Sequence, residues 1–369
     1  MDNSVLKQSF LLCLALFAGL LTQSCNPTEP EAETAVPANP SKDSDRLLGA
    51  YYFGAGYFTL VPKNIRHDLD EMKGLGTDIV CIGITESDIK YNEGNIRFII
   101  EEAHQRDMQV FAVPSRMAGI TAGQPIEPPL FGYHHPETAV LRKDGTPVVR
   151  KTHGILSSFY HPEVKNYFIE TTSKMLEQFD LDGIIWDEPK STWWEWQDFS
   201  ELALKDNPEG DYVKYMEDFA DFFSDINAEL KARQPDLTIV HFDEACRDDT
   251  VVNVSATIRH LDYFGTDGKP YPLTKTENIT NRDTKVLPKY GERYLKAGRE
   301  NDLKTMMLVE NQRMSKAEVD KMDAALPGIL KMDVDLLLYY YYGFYDEAPE
   351  YKMDVIRKHI PKFKNQNIQ

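Results

Sequence analysis

The sequence predicts a (β/α)8 TIM barrel, the α/β fold in which eight parallel strands alternate with eight helices. Short apolar runs alternate along the chain with stretches whose apolar residues recur every three or four positions. Roughly 320 residues follow Arg46, enough for one large domain with a sizeable core. Acids and aromatics recur directly after successive apolar runs, where a barrel holds its chemistry.

The elements follow in order. Residues 47–53 form the first strand, and Ile65, Leu69 and Met72 mark one face of the helix behind it. The second strand is 78–84, and Ile96, Ile99, Ile100 and Ala103 face inward from the next helix. The third is 108–113, leading into a long Pro/Gly-rich excursion from Ser115 to Phe159. Pro162 opens a helix that buries Val164, Phe168, Thr171 and Met175 before the fourth strand, 181–186. Met216, Phe219, Phe223, Ile226 and Leu230 stripe a helix over 212–231, and the fifth strand is 237–242. A poorly periodic connection leads to the sixth strand, near 261–264, the weakest of the eight signals. A helix over 286–298 precedes the seventh strand, 304–309. Ser315 and Glu318 have capping-box spacing and start a helix with Val319, Met322 and Leu326 inward. The eighth strand is 334–342, and a helix over 351–359 closes the barrel.

The N-terminus is read separately. Lys7 precedes an apolar run from Phe10 to Leu21, too short to span a bilayer as a stable helix, as in a secretory signal. Leu21-Thr22-Gln23-Ser24-Cys25 resembles the lipobox of bacterial lipoproteins, with the leucine one place further from the Cys than is commonest. That resemblance implies cleavage after residue 24 and a lipid on Cys25. An ordinary secretory cleavage after Ser24 is the alternative. Residues 26–45 are rich in Pro, Glu, Ala and Ser, as in a solvated tether. The expected organisation is therefore a signal peptide over 1–24, a lipidated Cys and tether over 25–45, and the barrel over 46–369. The expected location is the bacterial cell envelope, anchored by lipid in the periplasm or on the outer-membrane surface.

Charge narrows the partners. With 41 basic and 59 acidic residues the formal net charge is −18. A surface this acidic repels phosphate backbones and argues against nucleic acid. It also disfavours a strongly anionic polysaccharide unless a local basic pocket overrides the mean. Beyond the signal and Cys25, only Cys81 and Cys246 remain, both in apolar surroundings, as buried thiols usually are. No Cys–His spacing suggests zinc, no P-loop or dinucleotide fingerprint is present, and no metal or cofactor is expected.

All four tryptophans fall between Trp186 and Trp196, and Trp186 is followed by Asp187, Glu188 and Pro189. Sugars stack on aromatic faces, and paired carboxylates perform the acid, base and nucleophile work at a glycosidic bond. Other acids follow other strands. Glu86 and Asp88 follow the second strand, Asp243 and Glu244 the fifth, Asp267 the sixth, Glu310 the seventh, and Asp346 and Glu347 the eighth.

Trp186-Asp187-Glu188-Pro189 resembles the Asn-Glu-Pro motif of the 4/7 clan of retaining barrel glycosidases. The resemblance implies that Glu188 is the general acid/base and Glu310, in the run Met307-Leu308-Val309-Glu310, the nucleophile. The chain departs from the clan in carrying Asp187 where Asn normally bonds the sugar 2-hydroxyl. The helix before this strand and the strand itself also resemble α-amylase-type barrels, which implies Asp187 as nucleophile and Glu244 as acid/base. A third possibility is an Asp-Glu pair acting with a substrate N-acetyl group, as in some hexosaminidases. On an extended strand Asp187 is expected to point away from Glu188.

The function expected is hydrolysis of glycosidic bonds in a neutral oligo- or polysaccharide, with retention of anomeric configuration. Trp193, Trp194 and Trp196 are expected to form sugar subsites. Arg116, His241, Asp243, Glu244, Tyr263 and Tyr345 are expected as further substrate contacts. A surface barrel that only binds glycan is the non-enzymatic alternative.

Overall fold

The computed structural model describes residues 45–54, 60–123, 129–151, 153–272, 286–343 and 345–365. The expected signal, Cys25 and nearly all of the tether lie outside the described residues. Ten strands are described in chain order: β1 (Leu47–Tyr51), β2 (Ile79–Ile84), β3 (Gln109–Pro114), β4 (Val149–Arg150), β5 (Gly154–Ile155), β6 (Gly183–Asp187), β7 (Thr238–Glu244), β8 (Tyr263–Gly268), β9 (Lys304–Val309) and β10 (Leu336–Tyr340). Eight of them close into a parallel barrel in the order β1-β10-β9-β8-β7-β6-β3-β2. β4 and β5 form an antiparallel ribbon inside the expected excursion. The predicted (β/α)8 barrel is the fold observed.

Alternation along each strand builds two apolar layers. Inward-facing Phe111, Ile185, Phe242, Met306 and Leu338 fill the barrel with side chains, so it is a packed core rather than a pore. Outward-facing residues meet the helices: Ile184 and Trp186 of β6 pack with Phe168 and Phe223. Helix starts follow local chemistry. Pro62 and Pro162 sit in the first turn of helices Pro62–Gly74 and Pro162–Gln178. The Asp211 side chain caps helix Tyr212–Arg233, and the predicted capping box of Ser315 and Glu318 starts helix Lys316–Ile329. Among the described residues no helix is long and apolar enough to cross a membrane.

The sixth barrel strand differs most from expectation. It runs from Tyr263 to Gly268 rather than ending near Phe264. Its last four residues, Gly265-Thr266-Asp267-Gly268, carry no apolar signal, yet they are fully buried. A Cβ at Gly265 would lie 1.9 Å from the Met306 carbonyl oxygen, so close packing against β9 requires glycine there. The longer strand puts Tyr263 at the entry to the barrel and Asp267 near its mouth.

Candidate active site

A cavity of about 140 Å³ opens where the C-terminal strand ends converge. Asp187 and Glu188 reach it from β6, Asp267 from β8, and Glu310 from just beyond β9. Tyr340 of β10 and Leu308 of β9 supply its floor. The long connection after β3 adds Arg116, Gly123 and His153, and the loops after β8 and β9 add Lys269, Gln312 and Arg313.

Backbone conformation explains how two adjacent acids share one cavity. Asp187 continues the inward phase of Ile185, as alternation requires. Glu188 has φ of 39°, which ends the strand geometry and turns the next side chain back to the same cavity. The expectation that Asp187 points away from Glu188 is therefore corrected: both line the site. Arg116 and Arg313, at φ of 60° and 53°, are also left-handed and line the same cavity. Each such residue stores on the order of 1 kcal/mol, a cost proteins concentrate at functional sites.

Oxygens of Glu188, Asp267 and Glu310 all lie within 4.8 Å of one another. Lys190, buried at 4 % exposure, donates to Glu188 Oε2 and, at 3.0 Å, to Glu244 Oε1. Its backbone is fixed by a 2.6 Å bond from its N–H to the Ile120 carbonyl. Asp187 accepts a 3.0 Å bond from the Tyr51 hydroxyl. Burial, then the charge of Glu188, pushes its carboxyl up to about 6, against the opposing pull of Lys190 and of bonds from Gly123 and Tyr51. Tyr340 is held protonated by burial and by the combined charges of Asp187, Glu310, Asp267 and Glu188. Arg116 is lowered to about 10, mainly by burial, and bonds the His153 imidazole. Burial first, then Arg116, drives His153 far below its ordinary value, so the ring is neutral and accepts from the guanidinium.

Spacing for a metal ion occurs in two clusters of the described residues: the Glu188, Asp267 and Glu310 carboxylates, and His135 with Glu137 and Glu163 on the surface. In the first, the Lys190 ammonium already bonds Glu188.

Of the residues singled out in the sequence, Asp187, Glu188, Glu310 and Arg116 meet at the cavity. Glu244 adjoins it through Lys190. The others are placed elsewhere. His241 and Asp243 flank inward Phe242 and so point outward; His241 packs against Phe219, Phe223 and Phe264. Tyr263 faces the barrel interior at the strand's N-terminal end. Tyr345 is 78 % exposed and does not line the cavity.

None of Trp193, Trp194 and Trp196 lines the cavity either. Trp193 and Trp196 meet at 5.5 Å between ring centroids, and each is covered by an arginine. The Arg247 guanidinium lies 3.7 Å from Trp193 and that of Arg150 lies 3.8 Å from Trp196. These cation–π contacts take up indole faces that were expected to receive sugar. Trp194 is exposed, and Trp186 is core, its indole N–H donating to Asn227 at 2.9 Å. Several strand-end acids are structural: Glu86 accepts from the Phe131 N–H at 2.9 Å, Asp88 from the Thr85 N–H at 2.9 Å, and Asp346 pairs with Lys352 at 2.7 Å.

Lys190, His153, Lys269, Arg313 and Tyr340 were not singled out in the sequence. Lys190, two residues after Glu188, carried the one available signal, a cation beside the acid pair.

No protein-family model matches the sequence, and no curated protein matches it either. Solved structures do match in shape. An endo-1,4-β-mannanase from Rhizomucor miehei superposes with a TM-score of 0.57 at 12% identity, covering 87% of this chain and 95% of that one. A β-galactosidase from Halorubrum lacusprofundi gives 0.60 at 13%, covering 87% of this chain and 58% of that one. A β-galactosidase from Marinomonas ef1 gives 0.58 at 11%, covering 86% and 59%. The chain thus spans less than two thirds of either β-galactosidase. At these identities the likeness concerns the fold. The chain has a TIM-barrel fold.

Proposed function

We propose that the protein is a retaining glycoside hydrolase, with Glu310 as nucleophile and Glu188 as general acid/base. The observation that carries this is the approach of their carboxylate oxygens to within 4.8 Å at the barrel mouth. Retaining enzymes place the two carboxyl groups about 5–5.5 Å apart, whereas inverting enzymes leave about 6.5–9.5 Å for a water. Glu310 attacks the anomeric carbon as the bond to the leaving oxygen breaks, and Glu188 gives that oxygen its proton. Glu188 then takes a proton from water, whose oxygen displaces Glu310 and releases the sugar. Lys190 bonds both Glu188 and Glu244 and so fixes where the Glu188 carboxyl sits beside the cavity. Tyr51 and Tyr340 remain protonated and act as hydroxyl donors beside the acids.

A second reading assigns the proton to Asp187, because its carboxyl is pushed up to about 6 and it borders the same cavity. The amylase-like pairing of Asp187 with Glu244 draws less support, since Glu244 lies across Lys190 and does not line the cavity. The deciding experiment is an NMR time course of the first anomer released from a panel of aryl glycosides, with Glu188→Ala and Asp187→Asn alongside. Retention, with Glu188→Ala impaired chiefly on poor leaving groups, supports the assignment. Inversion, or that leaving-group pattern in Asp187→Asn alone, overturns it. A barrel that only binds glycan would release no sugar at all. For location we propose the envelope-anchored form implied by Cys25.

A further inference from the structure

Away from the barrel mouth, a second set of donor atoms meets that the proposed chemistry does not use. His135 follows the short helix Phe131–His134, Glu137 lies in the turn Pro136–Thr138, and Glu163 sits in the first turn of helix Pro162–Gln178. Backbone pairing brings them together. Ala139 and Ser157 form an antiparallel bridge, and the Ser158 N–H donates to the Thr138 carbonyl at 2.7 Å. The Thr138 hydroxyl in turn donates to the His135 carbonyl at 2.8 Å. The imidazole stacks on Phe131 at 4.6 Å between ring centroids, and Phe131 stacks on Tyr167 at 4.2 Å, which fixes the plane of the ring. His135 Nδ1 then lies 3.2 Å from Glu137 Oε1 and 3.7 Å from Glu163 Oε2, and one donor atom of each residue lies within 4.8 Å of the others. A single proton on Nδ1 serves Glu137 alone, since 3.7 Å is too long for a hydrogen bond, and the two carboxylates are left to repel. A divalent cation satisfies all three. Zinc bonds imidazole nitrogen and carboxylate oxygen at about 2.0–2.2 Å, so its tetrahedral ligands stand roughly 3.4 Å apart, close to the two spacings observed. A second imidazole borders the cluster: His161 is near enough to act on the Glu137 charge, and among the described residues its buried Nδ1 has no hydrogen-bond partner. His135 and Glu163 also line a cavity of about 680 Å³, which leaves room for a further ligand on the metal.

We propose that His135, Glu137 and Glu163 form a site for a divalent metal ion of the zinc type. The inference is independent of the glycosidase reading, and none of the three residues lines the barrel-mouth cavity. An imidazole nitrogen with two carboxylates suits zinc better than calcium or magnesium, which take oxygen ligands. The two carboxylates balance the charge of the ion, and the acidic surface of the chain draws cations toward it. No metal was expected from the sequence, because Glu163 is far from His135 along the chain and reaches it only through the pairing of residues 138–139 with 157–158.

The test is calorimetric titration of the full chain with Zn²⁺, and separately with Ca²⁺ and Mg²⁺, in metal-free buffer near neutral pH, where imidazole is free to bind metal. Melting curves accompany it. The expected result is a zinc site at least about tenfold tighter than for Ca²⁺ or Mg²⁺, with a melting temperature that rises as zinc is added. His135→Phe keeps a ring on Phe131 but removes the nitrogen, and Glu163→Gln removes a carboxylate. Each should weaken zinc by at least the roughly tenfold that loss of a mere supporting partner costs a metal site. The His135 and Glu163 side chains are 42 % and 56 % exposed, so both variants fold, and their melting curves without metal check this. Glu310→Gln runs alongside, because Glu188, Asp267 and Glu310 also have spacing for an ion. Zinc lost in Glu310→Gln but kept in His135→Phe places the ion at the barrel mouth and overturns the site. Affinity no tighter than millimolar leaves an ion pair only and overturns it too. So does zinc binding that is unchanged in both variants, or weakened in only one, or matched by Ca²⁺.

Discussion

Replacing Asp187 with Asn is expected to stabilise the protein at neutral pH, by an amount the burial of this carboxylate sets. In the folded chain its carboxyl is raised from 3.8 to about 6, first by desolvation and then by the charge of Glu188. The folded state therefore holds the proton more tightly than the unfolded state. Ionised Asp187 costs nothing below pH 4, costs progressively more between pH 4 and 6, and carries its full cost above that. A shift of about two units corresponds to ~3 kcal/mol. Asn keeps the shape and accepts from Tyr51, but its amide cannot accept the second bond that the carboxylate receives from Gly123, a loss of ~1 kcal/mol. The net gain expected at pH 8 is ~2 kcal/mol, or roughly 3 °C in a chain of this length. The assay is urea unfolding of both proteins at steps from pH 4 to 8, followed by tryptophan fluorescence. The curves should converge near pH 4 and separate as pH rises. In a Glu188→Gln background the separation should shrink, because one cause of the shift is gone. A pH-independent difference, or an Asn variant less stable at pH 8, would refute the reasoning.

Further expectations concern the chemistry, the aromatic loop and the anchor. Glu310→Gly should lose turnover by several orders of magnitude and regain part of it in azide, with a glycosyl azide as product; near-normal rates without azide rule out the strand-seven nucleophile. Asp187→Asn should keep measurable activity, since the position then carries the residue of the clan it resembles, and a dead variant would move Asp187 into the chemistry. Trp193→Ala removes a half-buried ring and its contact with Arg247 and should lower stability by about 1–2 kcal/mol, whereas exposed Trp194→Ala should leave the melting curve unchanged. Cys25→Ala should release the protein from membranes and abolish palmitate labelling, and label persisting in the variant would sink the lipid anchor.

The barrel was legible because alternation of apolar runs with helical stripes is a local property, repeated often enough to count. The strand-four motif was legible for the same reason. The sixth strand was read too short, because four of its six residues are Gly265-Thr266-Asp267-Gly268, whose burial comes from neighbouring strands rather than from hydrophobic composition. That slip put Tyr263 at the wrong end of its strand. Reading strand ends without the phase of each strand placed His241 and Asp243 in the site, though Phe242 between them fills the barrel and sends both outward.

By itself the sequence determined the fold, the acids at positions 187, 188 and 310, and Arg116, because residue order along a strand fixes which end each reaches. Tertiary structure alone decided that Asp187 and Glu188 share a cavity, through the left-handed turn at Glu188. It alone covered Trp193 and Trp196 with arginines and gathered Arg116, Lys269 and Arg313 from three loops. Such meetings depend on loops whose path is set by contacts distant in sequence, and no local periodicity records them.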